Sequence, residues 1–137
     1  MRTLHVGLRV TDQERSLAFY RGLGYDVVGT VAETEFGRLT MLQLPGDDFV
    51  SLELVHDPRR GQVDPGGFNH LVIQVDSMQQ TVAALAAHGV LVDGPHSPDG
   101  SPDFQTALVT DPDGYRIELV QWPDGHPAGM TAADFAT

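Results

Sequence analysis

Four side chains able to share a divalent ion recur at one spacing in this chain. His5 and Glu53 are followed, at an offset of 65 residues, by His70 and Glu118. Two imidazoles and two carboxylates make a nitrogen and oxygen donor set for a borderline divalent metal. With no cysteine in the chain, thiolate ligation and a cysteine nucleophile are excluded. Ni, Co, Mn, Fe or Zn could each occupy such a set, with water completing the shell. An open water position is what metal catalysis requires. His56, His88, His96 and His126 have no partner at the offset and are read as helix-end, loop, tail or outward-facing residues.

The offset extends well beyond the ligands. Leu4-His5-Val6-Gly7-Leu8-Arg9-Val10 lies on Asn69-His70-Leu71-Val72-Ile73-Gln74-Val75, Gly24 on Gly89, and Leu52-Glu53-Leu54-Val55 on Ile117-Glu118-Leu119-Val120, all without a gap. Coincidence of His, Gly and Glu at one offset marks an internal repeat. In a strand, alternate side chains share a face. His5, Gly7 and Arg9 therefore oppose Val6, Leu8 and Val10, and Arg116, Glu118 and Val120 oppose Ile117 and Leu119. A carboxylate in a sheet needs a partner or a metal, so the four pseudo-symmetric groups are expected to converge. Arg9, on the face of His5, is a candidate for binding an anionic part of the substrate.

The elements that must carry these residues follow from pattern. Alternation predicts strands at 4–10, 25–33, 36–44 and 49–56, and again at 90–93, 104–110 and 114–121. Thr11-Asp12-Gln13-Glu14 reads as a capping box opening a helix with Leu17, Phe19 and Tyr20 on its apolar face, closed by Gly24. Ser77-Met78-Gln79-Gln80, Val82, Leu85 and Gly89 repeat that helix. Asp111-Pro112-Asp113-Gly114 is a turn, residues 94–103 a flexible loop, and residues 57–68 the connection between halves. The fold class is α+β, with tandem βαβββ modules forming a metal-binding sheet cradle. One domain is expected over 1–137, with modules at 1–60 and 66–122 and a tail at 123–137.

Composition narrows the partners. The net charge of −11 offers no basic stripe for nucleic acid or anionic lipid. Lysine is absent, which removes a Schiff-base mechanism. No apolar run approaches the ~20 residues of a membrane span, and no secretory h-region opens the chain. A cytoplasmic location is expected.

The opening Leu4–Asp12 stretch, Arg15-Ser16-Leu17-Ala18-Phe19-Tyr20, and Asp111-Pro112-Asp113-Gly114-Tyr115-Arg116-Ile117-Glu118-Leu119 resemble the vicinal oxygen chelate superfamily, and within it glyoxalase I, the lactoylglutathione lyase. The resemblance runs to about residue 121 and implies the glyoxalase/bleomycin resistance/dioxygenase fold. It implies one divalent metal per site on His5, Glu53, His70 and Glu118, a homodimer, and a small-molecule substrate. The implied reaction is isomerisation of the hemithioacetal of a 2-oxoaldehyde and a thiol to a 2-hydroxyacyl thioester through an enediolate. Methylglyoxal detoxification would be its purpose. Glu118 matches the family's base, and Glu53 is its counterpart for the other face. Glu53 separates this pattern from relatives with dioxygenase or epimerase chemistry. A drug-sequestering resistance protein is the non-enzymatic alternative. At the substrate-binding positions Arg9 is in place, but Asp57 stands where the family has Asn. With the acidic loop 97–103, Asp57 predicts that glutathione is a poor thiol.

Overall fold

The computed structural model describes residues 1–136; Thr137 lies outside them. It is an α+β fold in which a βαβββ unit occurs twice. In chain order these are β1 (Val6–Arg9), α1 (Gln13–Leu23), β2 (Asp26–Thr34), β3 (Gly37–Gln43) and β4 (Leu52–His56), then β5 (Leu71–Gln74), α2 (Met78–Ala87), β6 (Asp93–His96), β7 (Gln105–Thr110) and β8 (Arg116–Gln121). A 3₁₀ turn, Ala132–Phe135, follows. The chain divides into two compact units, residues 1–67 with 111–114, and residues 68–110 with 115–137. No helix among the described residues is long and apolar enough to cross a membrane.

In the first unit the sheet order is β1-β4-β3-β2, with β1 parallel to β4 and the other pairs antiparallel. The second unit repeats this as β5-β8-β7-β6, with β5 parallel to β8. The parallel pair is a consequence of the helical crossover, since a parallel neighbour cannot be reached by a tight hairpin. Helix α1 lies on the β4 side of its sheet and α2 on the β8 side. The faces beneath them are the apolar ones. Leu8, Val10, Leu52 and Leu54 are buried in the first unit, and Ile73, Ile117 and Leu119 in the second. Burial of each such side chain contributes roughly 1.5–3 kcal/mol.

Both helices are capped, one of them differently from the sequence expectation. The N-cap of α1 is Asp12, whose carboxylate accepts from the Arg15 amide, and not Thr11. Thr11 is drawn away by longer-range bonds: its hydroxyl accepts from the Val63 amide at 2.9 Å, and its own amide donates to Asp113. Ser77 caps α2 as its sequence suggests, and Gln121 adds an acceptor for the Met78 amide at 2.7 Å. Gly24 closes α1 at φ 111°, a left-handed conformation that side chains rarely adopt.

The sixth strand also differs. Alternation placed it at 90–93, but it spans Asp93–His96, inside the stretch read as a loop. The Val90 amide is already used by Leu85 at the end of α2. Pro95 lacks an N–H and looks like a strand breaker, yet β6 is the edge of its sheet, where a missing donor is tolerated. His96 is thereby a strand residue rather than a loop residue. The tail contains a capping box between Thr131 and Asp134. His126 bonds Asp134 at 2.6 Å and stacks on Trp122.

The Asp111–Gly114 turn does more than reverse the chain. Its Asp111 carboxylate accepts from the buried Tyr20 hydroxyl at 2.7 Å. Asp113 accepts from the Thr11 amide and the Ser16 hydroxyl at the start of α1. Two carboxylates thus satisfy donors along one helix that packs on the sheet. Tyr20→Phe keeps the ring and deletes one charge-assisted bond, leaving Asp111 short of a donor. It is expected to lower unfolding stability by about 1.5–3 kcal/mol, read by urea denaturation with an unchanged m-value.

Candidate functional site

The parallel registers decide which side chains meet. Gly7 lies beside Glu53 and Val72 beside Glu118, so each His, two residues earlier and just ahead of its strand, stands next to the Glu of the inner strand. His5 Nε2 is 3.0 Å from Glu53 Oε2, and His70 Nε2 is 3.2 Å from Glu118 Oε2. Adjacent donors in an octahedral shell with bonds of about 2.1 Å stand about 3.0 Å apart. Each pair therefore has the spacing of two neighbouring ligands of one cation. Among the described residues no group of three or more His, Asp or Glu is gathered as a metal cluster; the structure brings the four candidates together as two pairs, one in each unit.

The second pair has an orienting neighbour. His70 Nδ1 is hydrogen-bonded to Asn69 Oδ1. An amide oxygen accepts, so Nδ1 carries the proton and Nε2 is the atom turned to Glu118. A fixed tautomer with Nε2 available is the usual arrangement of a metal-ligating imidazole. Glu53 is the more enclosed carboxylate, with its side chain 13% exposed against 30% for Glu118. Gly7 lies against this carboxylate: a Cβ there would stand 3.5 Å from Glu53 Oε1, an ordinary contact.

The pair of the second unit opens into a cavity of about 300 Å³. His70 and Glu118 share its lining with Arg116, Leu108 and the Asp93–His96 pair. Arg116 and Leu108 went unassigned from sequence. Arg116 alternates with Glu118 along β8, which was a usable signal. Leu108 reaches the site only because β7 pairs with β8 in the register Leu108↔Glu118, which no local pattern reveals.

Arg9 is half-buried on β1. Asp57 does not act as the bare repelling carboxylate that its type suggested. It is buried and clasped by Arg59, whose Nε and Nη2 donate to its two oxygens at 2.9 and 3.1 Å. Arg60 is 3.9 Å away. The charge is offset locally, so Asp57 gives little reason to reject an anionic substrate.

Residues 2–119 match the family model described as Glyoxalase/Bleomycin resistance protein/Dioxygenase superfamily. The chain belongs to this superfamily. Within it the chain is related to glyoxalase I-type proteins. It is 33% identical over 124 residues to a probable lactoylglutathione lyase of Vibrio parahaemolyticus, covering 88% of this chain and 90% of that one. The trypanothione-dependent glyoxalase I of Leishmania major superposes with a TM-score of 0.72 at 31% identity, over 88% of this chain and 86% of its own. TnmS3, an antibiotic-binding protein of Streptomyces sp. CB03234, superposes with a TM-score of 0.69 at 28% identity, over 88% and 96%. The superfamily thus contains similar chains whose descriptions include both lyases and a binder.

The Asp57 clasp has a pH signature. Hydrogen bonding from the Arg59 side chain, then from its amide, holds the Asp57 carboxyl down at about 2. An unfolded Asp titrates near ~3.9. The clasp therefore stabilises the fold fully above about pH 4, and that contribution fades as pH falls through about 2. Carboxyl NMR should give a midpoint of about 2 for Asp57, moving back toward the ordinary range in Arg59→Ala.

Proposed function

We propose that this protein is a metal-dependent, glyoxalase I-like isomerase that converts the hemithioacetal of a 2-oxoaldehyde and a thiol into a 2-hydroxyacyl thioester. The observation that carries this reading is the repeated imidazole–carboxylate pair at 3.0 and 3.2 Å, once in each unit. In this reading His5, Glu53, His70 and Glu118 hold one divalent ion (Ni, Co, Mn, Fe or Zn) in a homodimeric protein of the cytoplasm. When bound, the ion would supply Lewis-acid stabilisation of negative charge on the two vicinal oxygens of the substrate.

Glu118 is the proposed proton carrier. It lines the cavity and is partly open to it. It takes the proton from the carbon bearing oxygen and sulfur, and the electron pair left behind moves toward the neighbouring carbonyl oxygen. The same carboxyl then returns the proton to that neighbouring carbon, while the hydroxyl of the first carbon gives up its proton to become the thioester carbonyl and the neighbouring oxygen gains one, so the reaction is redox-neutral overall. Asn69 keeps His70 Nε2 on the side of Glu118, where the two could share the ion. Glu53, beside Gly7, is the counterpart for a substrate presented from the other face. Methylglyoxal is the 2-oxoaldehyde to test first. The acidic residues of loop 97–103 make glutathione the less favoured thiol. Arg9 is assigned to an anionic part of the substrate, and the charge of Asp57 beside it in the family pattern is offset by Arg59.

The likeness to TnmS3 favours one second reading, a non-enzymatic binder that sequesters a drug. Epimerase or dioxygenase chemistry on the same metal ligands is the other enzymatic alternative. Metal content and turnover separate them.

Metal analysis of untagged protein is expected to give one divalent ion per chain. His5→Ala or His70→Ala should lower that content sharply, while His56→Ala and His126→Ala should not; equal loss in all four would end this assignment.

Glu118→Gln retains one oxygen donor but cannot accept a proton. It should keep part of the metal and lose more than the roughly 10²-fold typical of one acid–base residue. The assay is methylglyoxal with glutathione, with other low-molecular-weight thiols and with none. Bound metal without turnover in any of these would move the reading to the alternatives.

A further inference from the structure

The cavity of the second unit has a charge arrangement that the metal ligands do not explain. Two carboxylates line it and each stands beside an imidazole: Asp93 at 3.3 Å from His96, and Glu118 at 3.2 Å from His70. Arg116 lines the same cavity and forms no ion pair with any described residue. It sits on β8 two residues from Glu118, so both side chains share one strand face, about 7 Å apart along the strand. Leu108, the register partner of Glu118 on the neighbouring strand, lines the cavity beside them.

The repeat sharpens the point. His5 and His70 correspond, as do Glu53 and Glu118, but the counterpart of Arg116 is Ser51. Ser51 turns its hydroxyl to the Asp47 carboxylate and carries no charge. The ligands are duplicated and the cation is not. A guanidinium presents a planar fork of donors that matches a carboxylate in two parallel hydrogen bonds. A cavity of about 300 Å³ is at the small end of ligand sites.

We propose that Arg116 is a specificity residue that binds a carboxylate on the substrate, a few bonds from the carbons that react at Glu118. This rests on the isomerase reading above and names its substrate class: the hemithioacetal of a compact thiol that bears a carboxylate close to sulfur. Such an acid spans the short distance from Glu118 to Arg116 along one strand face. The carboxylates of a long peptide thiol are not set at that spacing. Arg116 is exposed, and its backbone pairing with Thr110 does not depend on its side chain, so substitution leaves the sheet intact.

The test uses the full-length, metal-loaded protein with methylglyoxal hemithioacetals of two thiols of similar size, mercaptoacetate and 2-mercaptoethanol. Wild type should prefer the anionic adduct. Arg116→Gln should reduce that preference by about tenfold or more, mainly through KM, as expected for loss of a charge-assisted contact. Arg116→Lys should restore part of it, and the wild-type preference should shrink as salt rises. Equal loss on both adducts, or no loss on either, overturns the proposal while leaving the isomerase reading in place. If wild type turns over neither adduct, rates carry no preference to read, and binding decides the proposal. Saturable shifts of the Ala107 and Leu108 amides by mercaptoacetate, absent in Arg116→Gln, support it; no shift in wild type overturns it.

Discussion

The parallel pairing of a short first strand on an inner fourth strand is the constraint on which each half of this molecule depends. Gly7 beside Glu53, and Val72 beside Glu118, set every later distance at the candidate site. A slip of one residue would turn both histidines to the helix-covered face and bring Leu8 or Ile73 to the open one. Burial opposes that slip, because Leu8 and Ile73 would lose the cover they share with Leu52, Leu54, Ile117 and Leu119. The hydrophobic face thus holds the polar face in register. That the two halves reach His–Glu separations of 3.0 and 3.2 Å reflects one device used twice.

The helices make that pairing possible, and the start of α1 is held by carboxylates. Asp12 caps α1, while Asp111 and Asp113 reach Tyr20, Thr11 and Ser16. Negative groups at the start of a helix also suit its dipole. A chain of net charge −11 places several of its acids where a donor awaits them. Asp57, clasped by Arg59, follows the same rule beyond β4.

Duplication supplies symmetric ligands, and divergence around them supplies difference. Gly7 answers to Val72, and Ser51 to Arg116. Glu53 is the more enclosed carboxylate and Glu118 the more open. The cavity that Glu118 lines contains a guanidinium, an imidazole–carboxylate pair and apolar wall residues. Substrate choice in a superfamily whose similar members include a lyase and an antibiotic-binding protein rests on such neighbours more than on the scaffold.

The repeat, the βαβββ order and the paired His and Glu were legible in the sequence because each rests on local regularities. Strand alternation assigns a face to every residue, and Gly24 and Ser77 announce helix ends through their own backbone and side-chain chemistry. Other features needed the folded chain. Thr11 lost the cap to Asp12 because Val63 and Asp113, distant in sequence, bind it more usefully. Strand β6 formed across Pro95 because an edge position makes no demand for the missing N–H. Asp57 became neutralised through a hydrogen-bond geometry that residue type alone does not specify. Arg116 shares a face with Glu118 by alternation, but its place in a cavity depends on strands β6 and β7 arriving beside β8. Periodicity within a strand is a property of the backbone and can be read along the chain. Which strand lies next to it, and which charge finds a partner, is decided by long-range packing.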